Sequence, residues 1–236
     1  MNSWLSKDKI KSLFVFLFLI LISIITVIWG NRLSLTQNNI RVWNWLNVAI
    51  LFIGLPFILL QKEAGLPEVL QSSVTTKQRF FQPLLIGLFF GILDIIVIRL
   101  ILHPQPYDSL PPFLQPFPYS IFLFTSGSLE IEIFYRLVPI TAFLLLGRLI
   151  FKGKYSNIIF WIAAIITSLR EPIEQWPSGA TWFIVYATIS GITMNLFQAV
   201  YFRKAGFLAS LSVRWGHYLI WHILLGIYVQ YWELAA

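Results

Sequence analysis

The sequence contains no cysteine, only three histidines and few charged residues. Without cysteine the chain forms neither a disulfide framework nor a thiolate metal site. Charged side chains make up 11% of its 236 residues, whereas a typical soluble domain carries about 25%. Because 58% of the residues are hydrophobic, this shortage excludes an ordinary water-exposed surface and predicts a protein surrounded by lipid.

The basic residues outnumber the acidic ones, and the formal net charge is +7. They lie in short clusters between apolar runs, which is typical of loops that face an anionic membrane leaflet. A protein that reads nucleic acid needs a polar domain to carry a basic patch, and no stretch of this sequence has that composition. We therefore expect the lipid bilayer as a partner, and no nucleic acid.

Long apolar runs recur along the whole chain and predict an all-α, polytopic transmembrane helix bundle of about seven spans with no soluble domain. Residues 1–79 form a predicted N-terminal segment of two spans and a loop, and residues 80–231 form the predicted core. The predicted spans cover residues 13–29, 45–60, 83–102, 119–146, 158–169, 180–202 and 206–231.

The basic clusters predict how these spans are oriented. Clusters in the first twelve residues and at 61–82, 148–154 and 203–204 alternate with stretches poor in lysine and arginine, such as the proline-rich 103–118. Basic loops are retained in the cytoplasm, so the N-terminus is predicted to be cytoplasmic and the C-terminus external. Two arginines, Arg32 and Arg41, fall on the external side against this rule.

The stretch Ser128–Leu137 places Glu130, Glu132 and Arg136 inside an apolar run. Each charge in hydrocarbon costs about 2.5–3.5 kcal/mol on insertion scales, so such residues mark a functional site by default. Glu132 and Arg136 are four residues apart and are predicted to pair on one helix face. Glu130 points to another face, and Arg99 or Arg170 is its predicted partner.

Three acidic or imidazole side chains from different spans are predicted to reach one level. A rise of about 1.5 Å per residue puts Glu132, Glu171 and His222 each about 20–25 Å from the inner edge. Pro172 disfavours helical geometry at the residue before it, so Glu171 is predicted to lie at a helix break. The side chains of Glu132, Glu171 and His222 are therefore predicted to approach a common cavity.

The sequence Glu132-Ile-Phe-Tyr-Arg136 resembles the first motif of the CAAX protease and bacteriocin-processing (CPBP) intramembrane metalloprotease family, which typically reads Glu-Glu-x-x-x-Arg. The resemblance covers roughly residues 80–231. The family's second motif, Phe-x-x-x-His, corresponds to 171–175, and its third, His-x-x-x-Asn, begins at His222. This sequence departs from the family by having Ile131, Gln175 and Gly226 at three motif positions.

The resemblance implies an intramembrane endopeptidase that cuts hydrophobic or prenylated peptides. Glu132 would be the base that activates water, and Arg136 would orient it. His222 and Glu171 would bind a divalent metal such as Zn²⁺ or stabilise the oxyanion. Glu132, Glu171 and His222 would supply the three protein ligands of a catalytic zinc site, but Glu132 would then be a ligand and not a free base.

Two other functions remain open from the residues. The departures at the motif positions favour a catalytically inactive relative that acts as a membrane scaffold or assembly factor, in which Glu132 and Arg136 are only a structural pair. Transport of a small molecule or of protons is the third possible function.

The remaining polar residues in the spans are predicted to have structural roles. Asn195 and Gln198 are predicted to join helices by hydrogen bonds. His217 is predicted to be a structural partner, and Asp94 and Arg99 are predicted to pair.

Overall fold

A computed structural model describes residues 6–37 and 39–235 of the chain. This described part is all-helical and contains no strand, which confirms the predicted all-α class. We number its helices in chain order as α1 Lys7–Leu33, α2 Trp45–Leu51, α3 Gly54–Leu59, α4 Lys77–Leu102, α5 Tyr119–Phe151, α6 Ser156–Glu174, α7 Thr181–Ala205 and α8, residues 207–233.

Four helices, α1, α4, α5 and α7, are long and apolar enough to cross a membrane. The predicted run at 45–60 is instead divided into α2 and α3. Pro56 lies in the first turn of α3, where a backbone N–H would lack an intrahelical partner anyway. The predicted spans at 83–102 and 119–146 correspond to α4 and α5, and α5 continues to Phe151.

The main hydrophobic core joins the N-terminal helices to the rest of the chain. Phe16 of α1 and Ile58 of α3 are almost fully buried and belong to one cluster with Ile133 and Leu137 of α5. Gly54 permits this contact, because a Cβ atom there would lie 2.8 Å from the Phe16 ring. The first three helices are thus packed on the central helix, α5.

Helices α4 and α8 pack backbone against backbone. A Cβ atom on Gly87 would lie 1.8 Å from the carbonyl oxygen of Val213, and one on Gly216 would lie 2.2 Å from that of Leu84. Gly87 and Gly91 form a Gly-x-x-x-Gly pattern, the small-residue signature of close helix pairs. This contact brings the polar residues of α4 and α8 together.

Replacing Gly216 with alanine should therefore destabilise the fold. The new methyl group would meet a backbone oxygen, so α4 and α8 must move apart at a cost of about 1–3 kcal/mol. Gly127 is the matched control, because a Cβ atom there meets nothing within 4 Å. Thermal unfolding in detergent should show a lower midpoint for Gly216→Ala and no loss for Gly127→Ala. Equal midpoints would contradict the close α4–α8 contact.

Two of the long helices contain wide π-type turns beside the predicted site residues. In α5 the amide of Val138 donates to the carbonyl of Ile133, and in α8 the amide of Leu225 donates to that of Ile220. These are bonds between residues five apart, and such turns often occur at functional sites. They change which side chains share a face, with consequences for Arg136 and His222.

Candidate functional site

Arg214 of α8 is the centre of a buried polar network. Its Nε donates to Glu132 Oε1 at 2.9 Å, and its two terminal nitrogens donate to the two oxygens of Glu171 at 2.9 and 2.7 Å. The second oxygen of Glu132 accepts a hydrogen bond from Ser210. Arg214 and Glu132 have no exposed surface. One guanidinium thus binds both acids that the sequence assigned to a common site.

The predicted pair between Glu132 and Arg136 is wrong. Arg136, also fully buried, donates to the carbonyl oxygens of Thr167 at 3.2 Å and Asn195 at 3.0 Å, and to Gln198 Oε1 at 2.9 Å. The π-type turn after Glu132 changes the relation between the two side chains. Glu132 takes its partners from α8 instead, and Arg136 takes oxygens from α6 and α7.

Asn195 and Gln198 connect the two guanidinium groups. Gln198 Oε1 accepts from Arg136 at 2.9 Å and from Arg214 at 3.1 Å, and Asn195 Oδ1 accepts from both arginines as well. The prediction that these amides join helices is confirmed. The network therefore ties α5, α6, α7 and α8 together.

Glu171 is presented from a regular helix, not from a break. Helix α6 continues through Pro172 and ends at Glu174, so the predicted break at Glu171 is wrong. The two ion-pair hydrogen bonds from Arg214 hold Glu171 in place, and the end of the helix follows within one turn. Gln175, the next residue, lines a large cavity.

This cavity, which we call the chamber, has a volume of about 440 Å³. Glu171 and His222 line it, but Glu132 lies behind Arg214 and does not. Its polar lining residues are Arg41, Asp94, Glu130, Glu171, Gln175, Arg214, His217, Tyr218 and His222, and its aromatic lining residues are Trp43, Phe113, Phe124 and Trp221.

His222 has one ring nitrogen fixed and one open. Its Nδ1 lies 2.7 Å from the carbonyl oxygen of Phe113, which only accepts, so Nδ1 carries the proton. The ring stacks on Phe124 with 4.2 Å between ring centres. Within residues 6–37 and 39–235, Nε2 of His222 has no hydrogen-bond partner. The neutral ring therefore presents a proton acceptor to the chamber.

Glu130 lines the chamber as well, although the sequence predicted a structural role for it facing elsewhere. Both predicted partners are wrong, because Arg99 pairs with Glu233 and Arg170 pairs with Glu174. No side chain or backbone group in the described part of the chain donates a hydrogen bond to the Glu130 carboxylate. This carboxylate is therefore an unpaired acceptor facing the same cavity as His222.

Asp94 and His217 form a third polar group on the chamber wall, and Tyr186 binds Asp94. Asp94 accepts a hydrogen bond from Tyr186 at 2.8 Å, and its other oxygen lies 2.7 Å from Nε2 of His217. The predicted pair of Asp94 with Arg99 is wrong, because Arg99 pairs with Glu233 and Asp94 contacts His217 and Tyr186. The prediction of His217 as a structural partner is consistent with this contact.

The two histidines of α8 share the chamber although an α-helix would separate them. His217 and His222 are five residues apart, and their ring centres lie 6.3 Å from each other. The π-type turn at 219–224 explains this, because residues five apart align in such a turn. The α-helical period alone would turn His222 well away from His217.

The arrangement of Glu132, Glu171 and His222 does not fit a divalent metal. A guanidinium bridges the two carboxylates where a cation would sit. In the described ranges no three or more histidine, cysteine or acidic side chains are grouped so that they could hold a metal ion. The three-ligand zinc site stays a prediction that this geometry does not favour.

No protein-family model, curated protein or solved structure matches this chain. The resemblance to the CPBP family therefore depends on the motif residues and their positions. Three residues at these motifs line the chamber. Glu130 directly precedes the first motif, Gln175 ends the second, and His222 begins the third. Sequence reasoning did not assign Ser210, Tyr186 or the central role of Arg214.

Proposed function

We propose that this protein is an integral, multi-pass membrane protein of CPBP type that cleaves hydrophobic or prenylated peptides. The observation that carries the proposal is the pair of unpaired acceptors in the chamber, the Glu130 carboxylate and His222 Nε2. The neighbouring acids Glu132, Glu171 and Asp94 all have partners. An unpaired carboxylate inside an apolar bundle is costly, which favours a catalytic role.

Membrane embedding with about seven spans and a cytoplasmic N-terminus is part of this proposal. Large apolar side chains such as Phe89, Ile162 and Ile189 are exposed on the outside of the bundle, as lipid contact requires. At the opposite end from the chamber's loops, Lys9 and Arg148 both contact Glu63. This end is the proposed cytoplasmic face.

The proposed reaction is attack of water on a peptide carbonyl. Glu130 takes a proton from the water, and Nε2 of His222 accepts the second hydrogen bond and orients the oxygen. The side-chain amide of Gln175 donates hydrogen bonds to the oxygen of the attacked peptide carbonyl as negative charge develops there. Glu130 then gives its proton to the leaving nitrogen, so the peptide bond is broken and one water is consumed.

Glu132, Glu171 and Arg136 have a supporting role in this proposal. Glu132 is bound by Arg214 and Ser210, Glu171 is bound by Arg214, and Arg136 is bound by the side-chain amides of α7. They hold the helix that carries Glu130 against the helix that carries His222. Preorganisation of this kind is needed because a reacting group about 1 Å out of place loses much of its effect.

The test uses the purified full chain in nanodiscs with quenched fluorescent peptides, one set hydrophobic and one set farnesylated. We expect cleavage that persists in EDTA and falls about 100-fold in His222→Asn. Asparagine keeps an N–H for the Phe113 carbonyl but removes the Nε2 acceptor. Cleavage that EDTA abolishes, or that His222→Asn leaves unchanged, would overturn the proposed mechanism.

The second candidate is a catalytically inactive relative that serves as a membrane scaffold. The observation that favours it is the neutralisation of Glu132 and Glu171 by Arg214, together with Ile131 at an acidic motif position. In that case no peptide of either set is cleaved, and wild type and Glu130→Gln release the same background signal.

A further inference from the structure

Arg41 lies in the loop between α1 and α2 and has no role in the proposed cleavage reaction. It is one of the two arginines that contradict the charge rule for the proposed external side. A basic residue on that side is not needed for orientation, so its charge calls for another role. Its companion Arg32 lies outside the chamber, whereas Arg41 lines it.

The backbone of Arg41 is held in place from two directions. Its N–H donates to Oε1 of Gln115 at 2.8 Å, and its carbonyl accepts from the hydroxyl of Tyr119 at 2.8 Å. Gln115 is 2% exposed and Tyr119 is 1% exposed. Two buried side chains are therefore used to fix the position of one exposed arginine in a loop. Because the backbone is already held in place, less conformational entropy is lost when a ligand binds.

The guanidinium of Arg41 is available for a ligand. It makes no hydrogen bond or ion pair with a side chain in residues 6–37 and 39–235. In contrast, the two fully buried arginines of the network, Arg136 and Arg214, are each bound to several oxygens. Arg41 lies within electrostatic reach of both Glu130 and His222. A bound anion at Arg41 would thus lie beside the proposed reacting groups.

We propose that Arg41 binds a carboxylate of the peptide substrate, either the C-terminal carboxylate or an acidic side chain. The planar guanidinium fork binds a carboxylate with two parallel hydrogen bonds. The acids Glu130, Glu171 and Asp94 line the same chamber and repel a doubly charged phosphate more strongly than a singly charged carboxylate. The substrate would then be anchored at Arg41 while a nearby peptide bond meets Glu130. This inference rests on the proposed function for the identity of the substrate.

Binding is measured without turnover, as the anisotropy of dye-labelled peptides with the full chain in nanodiscs. Four peptides share one hydrophobic sequence. The first ends in a free carboxylate and the second in an amide. The third and fourth both end in an amide, and they carry an internal glutamate and an internal glutamine, respectively. Comparison of the first two tests the C-terminal source, and comparison of the last two tests the side-chain source. The variants are Arg41→Gln and Arg41→Lys, with Arg32→Gln, in the last turn of α1 and outside the chamber, as the control.

We expect one carboxylate peptide to bind wild type and Arg32→Gln at least about tenfold more tightly than its neutral partner. Arg41→Gln should remove this preference, and Arg41→Lys should keep only part of it because lysine lacks the fork. Equal affinities in wild type, or a preference that persists in Arg41→Gln, would overturn the inference. A preference that depends on Arg41 without cleavage of any peptide would retain the carboxylate site and reject the endopeptidase.

Discussion

Replacing Arg214 with glutamine should destabilise the protein by about 3–5 kcal/mol, the expected cost of removing one partner from a buried charge pair. The guanidinium donates three hydrogen bonds to Glu132 and Glu171, and two more reach Asn195 and Gln198. Glutamine offers at most two donors, so at least one buried carboxylate loses its counter-charge. Thermal unfolding and size-exclusion chromatography in detergent should both show the loss.

Arg170→Gln is the matched control for this substitution. Arg170 also pairs with a glutamate, Glu174, but both side chains are nearly half exposed. Exposed pairs contribute about 0–1 kcal/mol, so this variant should unfold close to wild type. If Arg214→Gln were as stable as Arg170→Gln, the buried network would not be the element that holds α5, α6 and α8 together.

Glu130→Gln should lower the cleavage rate about 10²–10⁴-fold while leaving the unfolding midpoint unchanged. Glutamine has nearly the same shape but accepts no proton, and no described residue loses an ion pair by the change. Glu132→Gln should have the opposite result. It weakens the contact with Arg214 and Ser210, so the midpoint should fall while the rate per folded molecule changes far less.

The two substitutions are measured side by side, because they separate the two acids of the same helix. Cleavage of the peptides of the functional test is normalised to the folded fraction from chromatography. A Glu132→Gln variant that folds normally and is inactive, beside an active Glu130→Gln, would make Glu132 the base. That outcome would restore the role that the motif implied and would require Arg214 to release it.

The residues that line the chamber show how much of the site could be predicted from the sequence. Depth counting placed Glu171 and His222 at one level, and both line the chamber. It also placed Glu132 there, but depth along a helix does not specify which neighbour a side chain meets. On the same count Arg214 lies a turn or two closer to the inner edge, and its long side chain bridges that difference and reaches both acids.

The helical-wheel argument failed where the helices are not α-helical. It put Glu132 and Arg136 on one face as a pair, and an α-helical period would separate His217 from His222. Both long helices contain π-type turns at these places, and a turn with bonds five residues apart rotates all later side chains. Such turns have no strong signal in a single sequence, because they are stabilised by tertiary contacts.

Composition and the order of apolar runs by themselves determine that the chain is helical, poor in charge and able to form several helices of membrane length. These properties depend on each residue and its near neighbours, so they can be read from the chain alone. Only the tertiary structure decided which acid is paired and which is free. Arg214 is 82 positions from Glu132 and 43 from Glu171, and a choice between such distant partners is made by packing, not by local pattern.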